Sequence, residues 1–172
     1  LWLYIIKNNE FCRVKLRYGI LLTFILISSS LLAQKTVSEK RTRDAISLDG
    51  MLLEVAWDET ETATDFINNY PNPGIASRYK SEVKFLYDDQ YIYIGAKLTD
   101  NQPDSIIAFL SERDDFGNAD WFGVLIDPYG AGQNAFSFYV TAAGTELDAI
   151  INQTNEDFSW NAVWRSKIKR IA

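Results

Sequence analysis

The sequence contains no histidine, one cysteine (Cys12) and one methionine (Met51). The lack of histidine excludes Ser-His-Asp catalysis, Cys-His catalysis and zinc sites built on imidazole. Cys12 precedes the apolar run that starts at Gly19, so the chain after that run can form no disulfide and offers no thiol nucleophile. Any catalysis would therefore depend on carboxylates, lysine or tyrosine.

The first 33 residues differ chemically from the rest of the chain. Arg13, Lys15 and Arg17 shortly precede the apolar run Gly19–Ile27, and Ala33 offers a small residue for cleavage before Gln34. This layout predicts a secretory signal peptide over residues 1–33. A membrane anchor is the rival interpretation, but Gly19 to Ala33 is shorter than the roughly 20 apolar residues of a spanning helix. Because residues 1–12 contain no methionine, we expect a fragment or a misplaced translation start.

Removal of the signal peptide would leave a strongly acidic chain of 139 residues (172 minus 33). It would carry 13 basic residues (17 minus 4) and 22 acidic residues (23 minus 1), a net charge of −9. Such a surface repels phosphate backbones and anionic lipid, so nucleic acid is not an expected partner. We expect an exported protein that resides in the periplasm, at the outer membrane or cell surface, or outside the cell, without a membrane span after cleavage.

Residues 34–43 are polar and charged and predict a flexible lead-in, followed by a folded domain over residues 44–172. Ile46 and Leu48 alternate as in a short strand. Leu53, Ala56 and Trp57 have the spacing of a short helix with one buried face, which makes Trp57 a predicted core residue. Residues 70–79 contain two prolines and a glycine and predict an exposed loop.

Strand patterns dominate after residue 80. Apolar residues alternate on both sides of Asp88-Asp89-Gln90, which predicts a hairpin. Further alternation predicts strands near residues 121–127, 136–140, 147–151 and 164–168. Together these patterns indicate an all-β fold, an antiparallel β-sandwich of jelly-roll or immunoglobulin-like type with one short helix. Because the last predicted strand would leave an open edge, we expect the domain to be truncated at its C-terminal end.

Polar residues cluster immediately before the strand near residue 121. Sugars present hydroxyl groups around an apolar face, so their sites combine a flat aromatic ring with polar side chains. Trp121 beside Gly123 is the predicted platform. The predicted rim is Arg113, Asp114, Asp115, Asn118 and Asp120. The alternative is a polar loop in which the Asp and Asn side chains cap turns and Trp121 covers the sheet.

A second group surrounds Trp160 and Trp164. Trp164 aligns with the apolar Ile168 and is a predicted core residue, whereas Trp160 follows a polar loop and is the candidate for ligand contact. Scattered aspartates leave calcium as an open alternative, but no spacing here matches a calcium-binding loop. A pair of catalytic carboxylates cannot be tested by spacing alone.

The chain resembles the carbohydrate-binding module family 9-like domain, in the version found at the N-terminus of long exported proteins of Gram-negative bacteria. The segments that carry the resemblance are ISLDGMLLEVAW (46–57), YDDQYIYIGAKLTD (87–100), RDDFGNADWFGVLID (113–127), GQNAFSFYVTAAGTELDA (132–149) and EDFSWNAVW (156–164). The resemblance implies a β-sandwich that binds sugar between two aromatic rings. Trp121 is the expected first ring and Trp160 the expected second.

The sequence therefore predicts a non-catalytic module that binds a poly- or oligosaccharide, within a protein involved in polysaccharide breakdown. Two alternatives stay open. In the first, the domain is a structural module that docks on a C-terminal outer-membrane region of its own polypeptide. In the second, it is part of a glycoside hydrolase.

Overall fold

A computed structural model of the protein describes residues 35–153 and 155–171. The predicted signal peptide lies outside the described residues. The helices and strands of the described residues belong to the unit Val37–Ala172. Its elements are β1 (Lys40–Arg41), α1 (Val55–Asp58), β2 (Thr62–Ala63), β3 (Ser81–Tyr87), β4 (Ile92–Leu98), a 3-10 helix (Pro103–Ser105), β5 (Trp121–Ile126), β6 (Ala135–Thr141), β7 (Glu146–Asn152) and β8 (Asn155–Asp157). The fold is thus all-β with very little helix, as predicted.

The first sheet is built around β3. Strand β4 pairs with β3 in antiparallel register over its whole length, which confirms the predicted hairpin. The other edge of β3 is shared by two very short strands, β2 in antiparallel and β1 in parallel register. The hairpin turn is closed by Asp88, whose Oδ1 accepts hydrogen bonds from the backbone N–H groups of Gln90 and Tyr91, both at 2.7 Å.

The core on this sheet centres on Trp57. Trp57 is 3% exposed and packs with Ala56 and Leu86, and its indole N–H donates to Glu54 Oε2 at 3.0 Å. The prediction that Trp57 is a core residue is confirmed. Leu53 differs from the prediction, since it precedes α1 and is 76% exposed. Leu52 occupies the corresponding place against the core.

The start of the domain also differs from the predictions. Lys40–Arg41 form β1, and the buried Thr42 donates its backbone N–H to the Tyr87 carbonyl at 2.8 Å. Part of the predicted lead-in is therefore paired with the sheet. The predicted strand at Ile46 is absent from the described structure, because the Ser47 N–H donates to Glu54 Oε1 at 2.8 Å instead of to a neighbouring strand.

The second sheet is an antiparallel meander in the order β5-β6-β7-β8. The register places Trp121, Gly123 and Leu125 on one face, opposite Thr141, Tyr139 and Ser137 of β6. Phe122, Val124 and Ile126 lie on the other face, opposite Val140, Phe138 and Phe136. The predicted alternation of β5 is confirmed. The more completely buried face is the one that Trp121 shares, since Tyr139, Ser137, Leu147 and Ala149 are all buried there.

The predicted last strand, near residues 164–168, is not formed in the part of the chain that the structure describes. Residues 160–168 keep an alternating pattern of exposed and half-buried side chains. Their backbone, however, is bonded to side chains of β7 instead of to a strand. The N–H of Ala162 donates to Asp148, and the N–H of Ser166 donates to Glu146 at 2.6 Å.

The turn of the β3–β4 hairpin provides a test by pH. The Tyr93 hydroxyl donates to Asp88 Oδ2 at 2.7 Å and holds the pKa of Asp88 below its ordinary value of 3.8. A carboxylate whose pKa is lowered by folding stabilises the fold above its unfolded pKa, and this contribution is lost as the pH falls through the folded pKa. The melting temperature of Tyr93→Phe should thus lie below that of the wild type at neutral pH. We expect the difference to shrink below about pH 4.

Tyr91→Phe is the matched control for that experiment. Tyr91 is 61% exposed, and its hydroxyl has no hydrogen-bond partner among residues 35–153 and 155–171. Its melting temperature should follow that of the wild type at every pH. A Tyr93→Phe difference that persisted unchanged at pH 2 would show that the hydroxyl acts independently of Asp88 ionisation.

Candidate functional site

The Trp121 side chain is the exposed aromatic group of β5. It is 54% exposed, and its ring is held by two other aromatic side chains. Tyr139 meets it edge to face, with ring centroids 5.2 Å apart and planes at 89°, and Phe116 lies at 5.3 Å. Phe116 also contacts Phe158 at 5.9 Å. These contacts restrict how the indole can rotate while one part of it remains open to solvent.

Gly123 makes room for the Tyr139 ring. A Cβ atom at position 123 would lie 2.3 Å from Tyr139 Cδ1, well inside contact distance. The absence of a side chain at Gly123 therefore lets the Tyr139 ring pack close to Trp121. Tyr139 is 7% exposed, and its hydroxyl donates to Glu156 Oε1 at 2.7 Å. Burial and this hydrogen bond raise the pKa of Tyr139 to about 12, so the hydroxyl stays protonated over the physiological range.

Arg113 contacts acidic and amide side chains of its own fold. Its guanidinium pairs with Asp148, which is fully buried, and with Glu146 Oε2 at 3.3 Å. Its Nε lies 3.4 Å from Asn161 Oδ1 and 3.6 Å from Asp114 Oδ2. Because these groups neutralise the guanidinium, Arg113 is a cross-link between segments and has little charge left to offer a ligand.

Asp114 belongs to the same network. It adopts a left-handed backbone conformation with φ of 63°, and its Oδ1 accepts the N–H of Asp148 at 3.1 Å. Its own N–H donates to the Glu146 carbonyl at 3.3 Å. The strained conformation thus directs both polar groups of Asp114 toward β7, and its role in the structure is to anchor the loop.

Asp148 and Glu146 hold the segment after β8. Asp148 accepts the indole N–H of Trp164 at 3.0 Å besides the N–H of Ala162. Glu146 Oε1 accepts both the N–H and the hydroxyl of Ser166, at 2.6 and 2.7 Å. Since these carboxylates are consumed by internal bonds, neither is available as a catalytic base.

The remaining polar residues of the predicted rim lie in the exposed loop before β5. Asp115 Oδ1 accepts the N–H of Gly117 at 2.9 Å, and Asp120 Oδ2 accepts the N–H of Ile107 at 3.0 Å. One oxygen of each carboxylate has no bond within the described part of the chain. The Asn118 side chain is exposed and has no hydrogen-bond partner there either. These polar groups therefore remain available in the loop that leads into Trp121.

Trp160 lies on the opposite face of the sheet from Trp121. Its ring contacts Phe136 at 5.0 Å and Phe138 at 6.3 Å, and both side chains alternate with Tyr139 along β6. Trp164 contacts Phe138 at 5.4 Å on this same face. The structure therefore places Asp115, Asn118 and Asp120 in the loop that leads into Trp121, whereas Trp160 lies on the opposite face of the sheet.

Tyr139, Phe116 and Phe158 are site residues that the sequence patterns did not single out. Gly123 was a signal for the contact with Tyr139, because a glycine in a strand often marks a position where another group approaches closely. The contributions of Phe116 and Phe158 depend on loop conformations for which the sequence carries no comparable signal.

Other features of the described residues carry less chemistry. Two cavities of about 340 and 540 Å³ lie on the first sheet, and Trp121 lines neither. Within residues 35–153 and 155–171, no group of three or more acidic side chains is placed to hold a metal ion. No helix in this part of the chain is long and apolar enough to cross a membrane.

Comparisons of the chain with protein-family models, with curated proteins and with solved structures return no match.

Proposed function

We propose that this protein contains a non-catalytic carbohydrate-binding module, a β-sandwich that presents Trp121 to a sugar. The observation that carries the proposal is the half-exposed indole of Trp121, fixed by Tyr139 and Phe116 beside a loop with unused polar groups. An aromatic ring that is already held in place loses little conformational freedom when a ligand packs on it.

The chemistry around the ring suits a sugar. The apolar face of a pyranose packs on an indole, and its hydroxyl groups both donate and accept hydrogen bonds. Asn118 supplies a donor and an acceptor, and Asp115 and Asp120 each retain a free carboxylate oxygen. The Trp121 indole N–H has no acceptor among the described residues and is a further donor.

Binding is proposed instead of catalysis because Arg113 of the predicted rim is bonded to carboxylates that lie on the opposite face of the sheet from Trp121. Arg113, Glu146 and Asp148 form a closed network with Trp164 and Ser166. The resemblance to family 9-like modules supports the same function, as does the predicted export signal, which would deliver the domain to polysaccharides outside the cytoplasm.

Trp121→Ala should weaken the binding of xylan and cellulose oligosaccharides by at least about tenfold, as expected for the loss of an aromatic anchor. The free energy of unfolding should fall by about 1–3 kcal/mol, because the substitution also removes the contacts with Tyr139 and Phe116 from a half-buried ring. Isothermal titration calorimetry measures the first quantity and urea denaturation the second.

Tyr129→Ala is the control for a general effect of removing a surface aromatic residue. Tyr129 is 83% exposed in the turn between β5 and β6 and does not contact Trp121. Its loss should leave sugar binding unchanged. If Trp121→Ala bound the oligosaccharides as tightly as the wild type, the proposed site would be wrong.

A further inference from the structure

Strand β5 forms the edge of its sheet, and its backbone has free hydrogen-bonding groups. It pairs with β6 alone. The Ala142 N–H donates to the Asp120 carbonyl at 2.7 Å, so the backbone groups of Phe122 and Val124, two and four residues on, point toward β6. The Asp120 N–H donates instead to the Ile107 carbonyl at 2.8 Å, so the free edge begins at Trp121. The N–H and C=O groups of Trp121, Gly123 and Leu125 consequently point away from β6, and no partner for them exists among the described residues.

The side chains along this edge form an open line. Trp121 and Leu125 lie on the same face and are 54% and 58% exposed. They are four residues apart, which corresponds to about 13 Å along a strand. Gly123 between them has no side chain to interrupt the line. A single pyranose ring is too small to contact both ends of it.

The charge near this edge selects among sugars. Asp120 directly precedes Trp121, Asp115 lies in the loop that carries Phe116, and each retains a carboxylate oxygen without a bond among the described residues. Arg113 is instead paired with Asp148 and Glu146, whose side chains belong to the opposite face of the sheet. An acidic or sulfated polysaccharide would meet the Asp115 and Asp120 carboxylates at this edge and would be repelled. A neutral chain would meet acceptors for its hydroxyl groups.

From this arrangement we infer that the ligand is an internal stretch of a neutral, extended polysaccharide chain that lies along β5. Trp121 contacts one sugar unit, Leu125 contacts a later unit, and the free backbone groups between them bond to hydroxyls. The inference rests on the proposed function and specifies its ligand. It differs from a slot that encloses one end of a chain, because such a slot needs a second ring facing Trp121, and Trp160 lies on the other face.

The experiment titrates the protein with xylose and glucose and with their β-1,4-linked di-, tri-, tetra- and hexasaccharides by calorimetry. Each oligosaccharide is used in native form and with its reducing end converted to the alditol by borohydride. We expect affinity to rise by about tenfold or more between the mono- and tetrasaccharide, then to level off, and to be unaffected by reduction of the end.

Leu125→Ala tests the contribution of the Leu125 end of the line separately from that of Trp121. It should lower the affinity for the tetrasaccharide by roughly fivefold, the loss expected when a few methylene contacts disappear. The affinity for the disaccharide should stay unchanged. Leu98→Ala removes a leucine of β4 in the first sheet that is 53% exposed, close to the 58% of Leu125, and should change neither affinity. Far-ultraviolet circular dichroism confirms that both variants fold.

Several outcomes would overturn the inference. A monosaccharide that binds as tightly as the tetrasaccharide, or an affinity that disappears when the reducing end is reduced, would show recognition of a chain end while leaving the proposed function intact. Equal or tighter binding of polygalacturonate would contradict the charge argument. Failure of every glycan to bind, with β5 instead mediating a concentration-dependent dimer in size-exclusion chromatography, would remove both the proposed function and this inference.

Discussion

Asp148→Ala is expected to lower the free energy of unfolding by about 3 kcal/mol, the cost of breaking a buried, charge-paired network. Asp148 is fully buried and is the common acceptor for Arg113, for the indole N–H of Trp164 and for the N–H of Ala162. Alanine would leave these donors without an acceptor in a region that water reaches poorly. Urea denaturation followed by tryptophan fluorescence measures the change.

Two variants sharpen this test. Asp148→Asn retains one oxygen acceptor but removes the charge, so its loss of stability should be smaller than that of alanine. Asp104→Ala is the matched control, because Asp104 is exposed and has no bond within the described residues. If Asp148→Ala were no less stable than Asp104→Ala, the network would not hold the segment after β8 in place.

Trp57→Ala should cost about 3–5 kcal/mol, the range for removing a large aromatic side chain from a core. Trp57 is 3% exposed and fills the centre of the cluster on the first sheet with Ala56 and Leu86. Its removal also leaves Glu54 without the indole donor. The expected result is a large fall in the urea midpoint.

Trp57→Phe should cost less stability than Trp57→Ala, because the phenyl ring fills most of the cavity. It cannot replace the hydrogen bond of the indole to Glu54. Trp121→Ala deletes the same side chain at a half-exposed position and should lower the urea midpoint less than Trp57→Ala does. Trp57→Ala would then affect mainly stability, and Trp121→Ala mainly ligand binding. Equal destabilisation by both substitutions would contradict the core position assigned to Trp57.

Local patterns predicted the elements whose hydrogen bonds are local. The β3–β4 hairpin follows from alternation on both sides of Asp88, and the exposed loop around Tyr70 follows from its prolines and glycine. The prediction at residues 164–168 was right about alternation and wrong about the strand. Whether such a segment joins a ladder depends on where its N–H groups find acceptors, and here Glu146 and Asp148 provide them.

The candidate site was predictable only in part for the same reason. Trp121 was identified because it alternates with the apolar residues of β5. Arg113 and Asp114 are bonded to Asp148 and not left free for a ligand. Asp148 lies 35 positions from Arg113 and 34 from Asp114 along the chain. No local pattern reveals such a contact, and the placement of Trp160 on the other face likewise depends on the path of the chain after β8.

The segment after β8 is bonded through side chains of β7, which leaves much of its own backbone without a strand partner. Its exposed positions include Arg165, Lys167 and Lys169, which alternate with half-buried residues and point outward in a row. Several N–H groups of this segment are unpaired among the described residues, and such an extended backbone invites pairing with another chain. Three cations in a row repel the same row on a second copy. We therefore expect this row of charges to oppose pairing of the segment with another copy of the chain.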